Sequence, residues 1–380
     1  MMLPPRRAPS LRFLLEATPF SKPHRPAPRG HIARPPRSHT ARAMWITSNP
    51  ARRARDPDRM ARYPAPLPPA LPWPVFSHAE AMTAGLSRDR LNRSDLQRLR
   101  RGLYARRDVN FKELDLAAAL CRDDPELVVV GLSAARLHGI PMPWRLESWD
   151  PKTSIHLATL AARGRPHKIL TWHDYALAPG EVTTLVYRVR PSGHTSAIRA
   201  TTRARTWRDL APHLTHQELV AAGDHLIRRP YPWAEDRTNP WCTPAQLSAA
   251  CTGRHALALR RALADVRVGA DSPMETRLRL AFAAAGLPEP QLNTVLVGPD
   301  GVEHHCPDFQ WPAYGLCVEY EGDTHNDDEQ VARDIRRARA VKSAGSVEVR
   351  LHKADIGNDC ASAVRIVREA LVERGWRPAA

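Results

Sequence analysis

The segment Gly315–Glu321, GLCVEYE, constrains this chain more than any other. A small and apolar run followed by glutamates at alternate positions describes a strand buried along most of its length. Side chains two apart on a strand leave the same face, so Glu319 and Glu321 project together. A carboxylate at the end of a buried run is costly unless a partner meets it. Asp308, behind Pro307, precedes Glu319 by 11 residues, near the start of a hairpin that brings it back beside the pair. Three carboxylates on one sheet edge suit a hard cation such as Mg2+ or Mn2+. Such an ion holds a phosphodiester oxygen and lowers the pKa of a bound water. For any one of these residues alone, a solvated hairpin end is the better explanation. The order of the surrounding elements raises the joint reading above it.

That order is read from spacing. Ser272 caps a helix with Pro273 in its first position, and Glu275 completes an S-x-x-E capping box. Met274, Leu278, Ala281, Phe282 and Ala285 repeat at helical period up to Gly286. Strand QLNTVLV leads through Gly298-Pro299-Asp300-Gly301 to a returning strand ending near His304, and GLCVEYE is the third strand. A charged helix over 327–344, strand SVEVRLH and a helix over 361–374 complete an α-β-β-β-α-β-α unit, residues 271–380.

Charge is unevenly spread along the 380 residues, whose net value is +16. Residues 1–74 hold 14 Lys+Arg against 3 Asp+Glu, residues 75–270 carry +10, and residues 271–380 carry −5. A basic chain points to a polyanion partner, here DNA, but the positive field lies outside the unit with the carboxylates. Arginine outnumbers lysine 50 to 6, a bias that a GC-rich genome also produces. Residues 1–74 also contain 17 of the 36 prolines and no sustained hydrophobic period. Such a segment buries too little apolar surface to offset its ordering entropy, so disorder is expected. Three readings compete for it: a basic arm, a targeting peptide, or sequence upstream of a later start at Met44, Met60 or Met82. The composition favours the last. No apolar stretch approaches the roughly 18–20 residues that cross a bilayer. The six cysteines form no CxxC pair, so free thiols in a cytoplasmic setting are expected.

Order is expected from about Pro74. Ser77 and Glu80 form a capping box for a helix stopped at Gly85. Ser87 and Ser94 cap two further helices, SRDRLNR and SDLQRLRR, before a strand Leu103–Arg107. Three short helices and a strand over 75–112 fit a winged helix-turn-helix, with Arg93, Arg98, Arg100 and Arg101 as DNA contacts. Any small basic helical bundle would give the same pattern. Residues 113–270 read as a mixed α/β region and a helical linker. Helices ELDLAAALC, LSAARLHGI and HQELVAAGDHLIRR accompany strands ELVVVG, SIHLATL and EVTTLVYRVR, with Thr243-Pro244 opening another helix. His304, His305 and Cys306 beside Asp308 lack zinc-like spacing, and His138 and His156 read as core or surface histidines. There is no P-loop, no dinucleotide fingerprint and no Ser-His-Asp context.

The segments SPMETRLRLAFAAAGLPEPQLN, PDFQWPAYGLCVEYEGDTH and RDIRRARAVKSAGSVEVRL together resemble the PD-(D/E)XK nuclease superfamily. More narrowly, they resemble restriction-endonuclease-like domains related to the very-short-patch (Vsr) mismatch repair endonucleases. The resemblance implies a Mg2+- or Mn2+-dependent endonuclease, with Glu275 as the helix carboxylate, Asp308 as central ligand and Glu319 as second ligand. Glu321 stands where the superfamily has a lysine, and His325, Asp334 and Arg336 would flank the site. An acidic residue cannot replace the lysine's charge; it can ligate metal instead, with His325 or Lys342 supplying a proton or positive charge. Upstream, FSHAEAMTAGLSRDRLNRSDLQRLRRGLYARRDV, LSAARLHGIPMP and ATTRARTWRDLA resemble AbiEi-type antitoxins, which implies DNA binding, self-repression and a cognate toxin partner. The expectation is a cytoplasmic, multidomain α/β DNA-binding protein with an endonuclease domain. The competing reading is an antitoxin-like repressor whose nuclease fold is inactive.

Overall fold

A computed structural model describes residues 64–160, 167–189, 193–230, 235–298, 301, 306–321 and 338–378, together with the short strand Leu14–Leu15. The described chain is mixed α/β, with three sheets. Among the described residues no helix is long and apolar enough to cross a membrane, and none of the six cysteines forms a disulfide.

The first sheet has three antiparallel strands, with Leu103–Arg106 between Val75–Ser77 and Leu96–Arg100. The capping box forms as expected: Ser77 N donates to Glu80 Oε2 at 2.7 Å and Glu80 N donates to Ser77 Oγ at 3.2 Å, opening the helix His78–Thr83. Ser87 accepts from Arg90 N at 3.2 Å, but only a 3-10 turn, Arg90–Asn92, follows. The expected helix SDLQRLRR does not form; Leu96–Arg100 is a strand. Leu103 and Ala105 are wholly buried and need a ladder partner, which this segment supplies through pairs such as Gln97 with Ala105 and Arg98 with Tyr104. Gly102, φ +83°, therefore turns a hairpin instead of ending a helix. Tertiary pairing overrides a weak local propensity here.

The six-stranded sheet runs in the order Leu14–Leu15, Val182–Arg188, Thr195–Thr201, Leu127–Val129, Ile155–Thr159, Leu170–Trp172. Helix Glu113–Asp123 buries Leu116, Ala117 and Leu120 in the core that this sheet shares with Val75 and Leu103 of the small one. Helix Gly131–His138 ends at Gly139, whose φ of +66° is the left-handed cap that glycine favours. Helices Arg203–Leu210, His216–Ile227, Pro244–Ala250 and Ala256–Asp265 build a second core around Trp207.

The last sheet has the order Gln291–Leu292, Phe309–Trp311, Leu316–Glu321, Val347–His352. The first two neighbour pairs are antiparallel and the last is parallel. Phe309, Leu316, Val318 and Leu351 face a core closed by Leu278 and Phe282 of helix Pro273–Ala284 and by Val367 and Leu371 of helix Gly357–Glu373. Of the expected strand QLNTVLV, Gln291–Leu292 forms a two-residue strand and Val297 a single bridge position. The returning strand ending near His304 lies largely outside the described residues, as does most of the charged helix over 327–344. Residues 338–343 are helical, and Val341 packs against Cys317 and Leu296 on the sheet's opposite face.

Candidate functional site

Strand alternation separates the two faces of the last sheet. Phe309 pairs with Val318 and turns into the core, so Asp308, one residue earlier, belongs to the other face with Glu319 and Glu321. The parallel neighbour contributes Glu348, Arg350 and His352 to that face, opposite Cys317, Glu319 and Glu321 respectively.

Asp308 is anchored to the strand that carries the glutamates. Its Oδ2 accepts from Tyr320 N at 2.7 Å, the backbone nitrogen lying between Glu319 and Glu321. Its carbonyl accepts from Asn293 N at 3.2 Å. Glu319 is 7% exposed. Glu321 Oε1 lies 3.0 Å from Arg350 Nη1, and Glu321 Oε2 lies 3.7 Å from His352 Nδ1. Arg350 Nε also donates to Glu348 Oε2 at 2.8 Å. The position where the resemblance calls for a lysine is thus acidic in sequence, yet a guanidinium reaches it from the neighbouring strand. Sequence reasoning missed Arg350 and Glu348; the period-2 spacing of Glu348, Arg350 and His352 was the signal that could have found them.

Glu275 is buried and has other partners. Its backbone nitrogen donates to Ser272 Oγ at 3.2 Å, the expected cap. Its carboxylate accepts from Asp271 N at 2.9 Å and from Asn293 Nδ2 at 2.7 Å, so the reciprocal half of the capping box goes to Asp271 and not to Ser272. Burial pushes the Glu275 carboxyl above the usual range, against the pull of these hydrogen bonds. Asn293, at φ +43°, touches both Glu275 and the Asp308 backbone. Glu275 is therefore tied to the edge of the site through Asn293.

His325, Asp334, Arg336, His304 and His305 lie outside the described residues, and Lys342 is exposed on the helical segment 338–343. Among the described residues no group of three or more His, Cys, Asp or Glu side chains is gathered as an ion's ligands. Asp308 and Glu319 carry hard oxygen donors on the same face of the sheet. That fits a magnesium-type ion, which is commonly held by one or two carboxylates and keeps several waters. Glu321 is engaged by Arg350.

The four arginines assigned to DNA are distributed around the small sheet. Arg93, Arg98 and Arg101 are exposed. Arg100 lies 3.6 Å from Asp123. Arg98 and Arg100 stand on a hairpin strand, Arg101 at its turn, and Arg93 just before it. Comparison of the chain with protein-family models found no match, and comparison with curated proteins found none at a significant level.

Proposed function

We propose that the chain is a DNA-binding protein whose C-terminal unit hydrolyses phosphodiesters with Mg2+ or Mn2+. The observation carrying this reading is the 2.7 Å hydrogen bond from Tyr320 N to Asp308 Oδ2. It ties the Asp308 carboxylate to the strand that carries the buried Glu319, in a sheet whose other face packs into the core. Asp308 and Glu319 would hold the ion, whose chemistry is to polarise a phosphodiester oxygen and acidify a water. Arg350 would offset the charge of Glu321 and Glu348 and stand near the phosphate, as a fixed cation in place of the absent lysine. Affinity would come from the basic residues upstream, since 75–270 carries +10 and 271–380 carries −5.

A second reading has its own observation. The Glu321–Arg350–Glu348 arrangement closes part of the acidic face internally, which suits a nuclease fold retained for binding in an antitoxin-like repressor. One experiment separates the two. The purified chain is incubated with single-stranded, double-stranded and mismatched DNA and with RNA, in Mg2+, Mn2+ or EDTA. Metal-dependent cleavage supports the nuclease; binding without cleavage on every substrate supports the repressor.

A further inference from the structure

A separate cleft of about 410 Å3 lies in the middle region, between the strand Val182–Arg188, the start of helix Arg203–Leu210 and the helix Pro244–Ala250. Its wall carries a guanidinium that nothing neutralises. Arg203, the first residue of its helix, has no hydrogen bond or ion pair among the described residues, and its Nε is buried without a partner. Its guanidinium carbon stands 3.8 Å from the ring centroid of Trp241. Arg237 approaches the same ring at 4.8 Å, but carries its own carboxylate, Glu235. Arg205, also on the wall, is matched by Asp209 at 2.9 Å and by Glu181, which Arg208 meets as well at 3.3 Å. The carboxylate of Glu181 is thus already satisfied by two arginines, and Arg203 remains the uncompensated charge. Burial pulls Arg203 down to about 10, which leaves it a cation at neutral pH. A desolvated cation without a counter-charge is costly unless a ligand supplies one.

His138 lines this cleft and also a neighbouring one beside Phe111 and Trp149. It is 4% exposed, and its Nε2 lies 2.7 Å from the carbonyl oxygen of Thr201. A carbonyl only accepts, so Nε2 carries the proton and Nδ1 is an acceptor. That Nδ1 is buried and has no partner. Burial, reinforced by the charge of Arg203, pulls His138 down to about 4, so Nδ1 keeps its lone pair across the neutral range.

A ligand filling this cleft must present negative charge to Arg203 and a hydrogen-bond donor to His138. Carboxylates and sulfate have no proton to give at neutral pH. A phosphate that retains one P–OH has both. We propose that the cleft binds a protonated phosphate group, either the free ion or the head of a small monoester, with its anionic oxygens on Arg203 and its P–OH donating to His138 Nδ1. The helix that Arg203 opens also has its first residues on this wall, so the positive end of its dipole lies on the same side. The volume exceeds what a phosphate alone occupies and leaves room for a monoester's substituent.

The test is thermal unfolding and calorimetric titration of the full chain at pH 6, where a monoester is about half protonated. Inorganic phosphate, glycerol phosphate and sulfate are compared at equal ionic strength. Phosphate or the monoester should raise Tm while sulfate does so much less, and whichever of the two binds more tightly identifies the source. Arg203→Met should weaken binding at least tenfold and, without ligand, melt close to wild type, because no ion pair is lost and the contact with Trp241 is offset by removing a buried, unpaired charge. If that variant does not fold, Arg203→Gln carries the same comparison. Equal stabilisation of wild type and variant would place the anion elsewhere on this basic chain and overturn the proposal. Equal binding of sulfate, or no effect of either phosphate, would overturn it too.

Discussion

Asp224 and Arg279 form an ion pair 2.9 Å long with side chains 1% and 4% exposed, joining helix His216–Ile227 to the first helix of the C-terminal unit. Asp224 also accepts from Thr276 Oγ1 at 2.8 Å and from Arg267 N at 2.7 Å. Both carboxylate oxygens are therefore used, and the joint between the middle region and residues 271–380 is polar, buried and specific in register. Burial nevertheless raises the Asp224 carboxyl above its usual range, outweighing the pull of Arg279. The pair is not a large net source of stability, but breaking it on one side strands a charge.

Asp224→Asn should accordingly destabilise the chain by about 3–5 kcal/mol, since Arg279 is left buried without a counter-charge. Asp224→Leu with Arg279→Met should recover most of that loss. Urea unfolding of the single and double variants measures both. A double variant no more stable than Asp224→Asn would mean that the helices are held by the hydrogen bonds to Thr276 and Arg267 and not by charge.

Acid should unfold the chain through histidines before most carboxylates titrate. Burial pulls His138 and His225 down to about 4, against about 6.5 in an unfolded chain. Their folded values are depressed, so the neutral imidazole is the form the fold accepts. The unfolded state takes up protons that the folded state does not. The stability they contribute is present above about pH 6.5 and is lost as pH falls from there towards 4, by about 3 kcal/mol for each residue at the lower limit. Urea midpoints at steps from pH 7 to pH 4.5 should fall steadily, and His225→Leu should flatten that slope by nearly one proton.

Local signals were legible from the sequence, and non-local ones were not. Ser77 with Glu80 forms a capping box and Thr243 caps the helix that Pro244 opens, because each partner lies within one helical turn. Glu319 and Glu321 share a face because strand period requires it. The segment Ser94–Arg101 reads as a capped helix from its serine, its leucine spacing and its closing glycine, while the demand that makes it a strand comes from Leu103–Arg106. Asp224 and Arg279 are 55 residues apart, and Glu321 meets Arg350 only once two strands pair in parallel. Neither pairing leaves a trace in local spacing. His325, Asp334 and Arg336 fall in 322–337, outside the described residues.

DNA contact by the small sheet should be of the phosphate kind. Arg93, Arg98 and Arg101 are exposed around a hairpin, and no recognition helix forms from that segment. Replacing all three with Ala should weaken binding about equally on unrelated sequences and reduce the salt slope by roughly two to three. Arg100→Ala, where Asp123 lies 3.6 Å away, should do less. Fluorescence anisotropy over a salt series on two unrelated duplexes reads both effects. A loss confined to one duplex would mean base readout.

Asp308→Ala tests the C-terminal site at the bond that defines it. The Asp308 carboxylate accepts from Tyr320 N, and in the proposed nuclease it would also hold the ion. Losing one such ligand should cost several kcal/mol of transition-state stabilisation, on the order of a thousandfold in rate. Asp308→Asn keeps an oxygen acceptor for Tyr320 N and removes the charge. It should therefore melt closer to wild type than Asp308→Ala while cleaving no better. Binding in EDTA should be unchanged or slightly tighter in both variants, because the removed charge sits on a unit that is already −5. Nicking in Mg2+ or Mn2+ and melting temperature, measured on the same preparations, separate the two roles. Cleavage by Asp308→Asn at the wild-type rate would show that the carboxylate acts only as a backbone anchor, and the nuclease assignment would then lose its central residue.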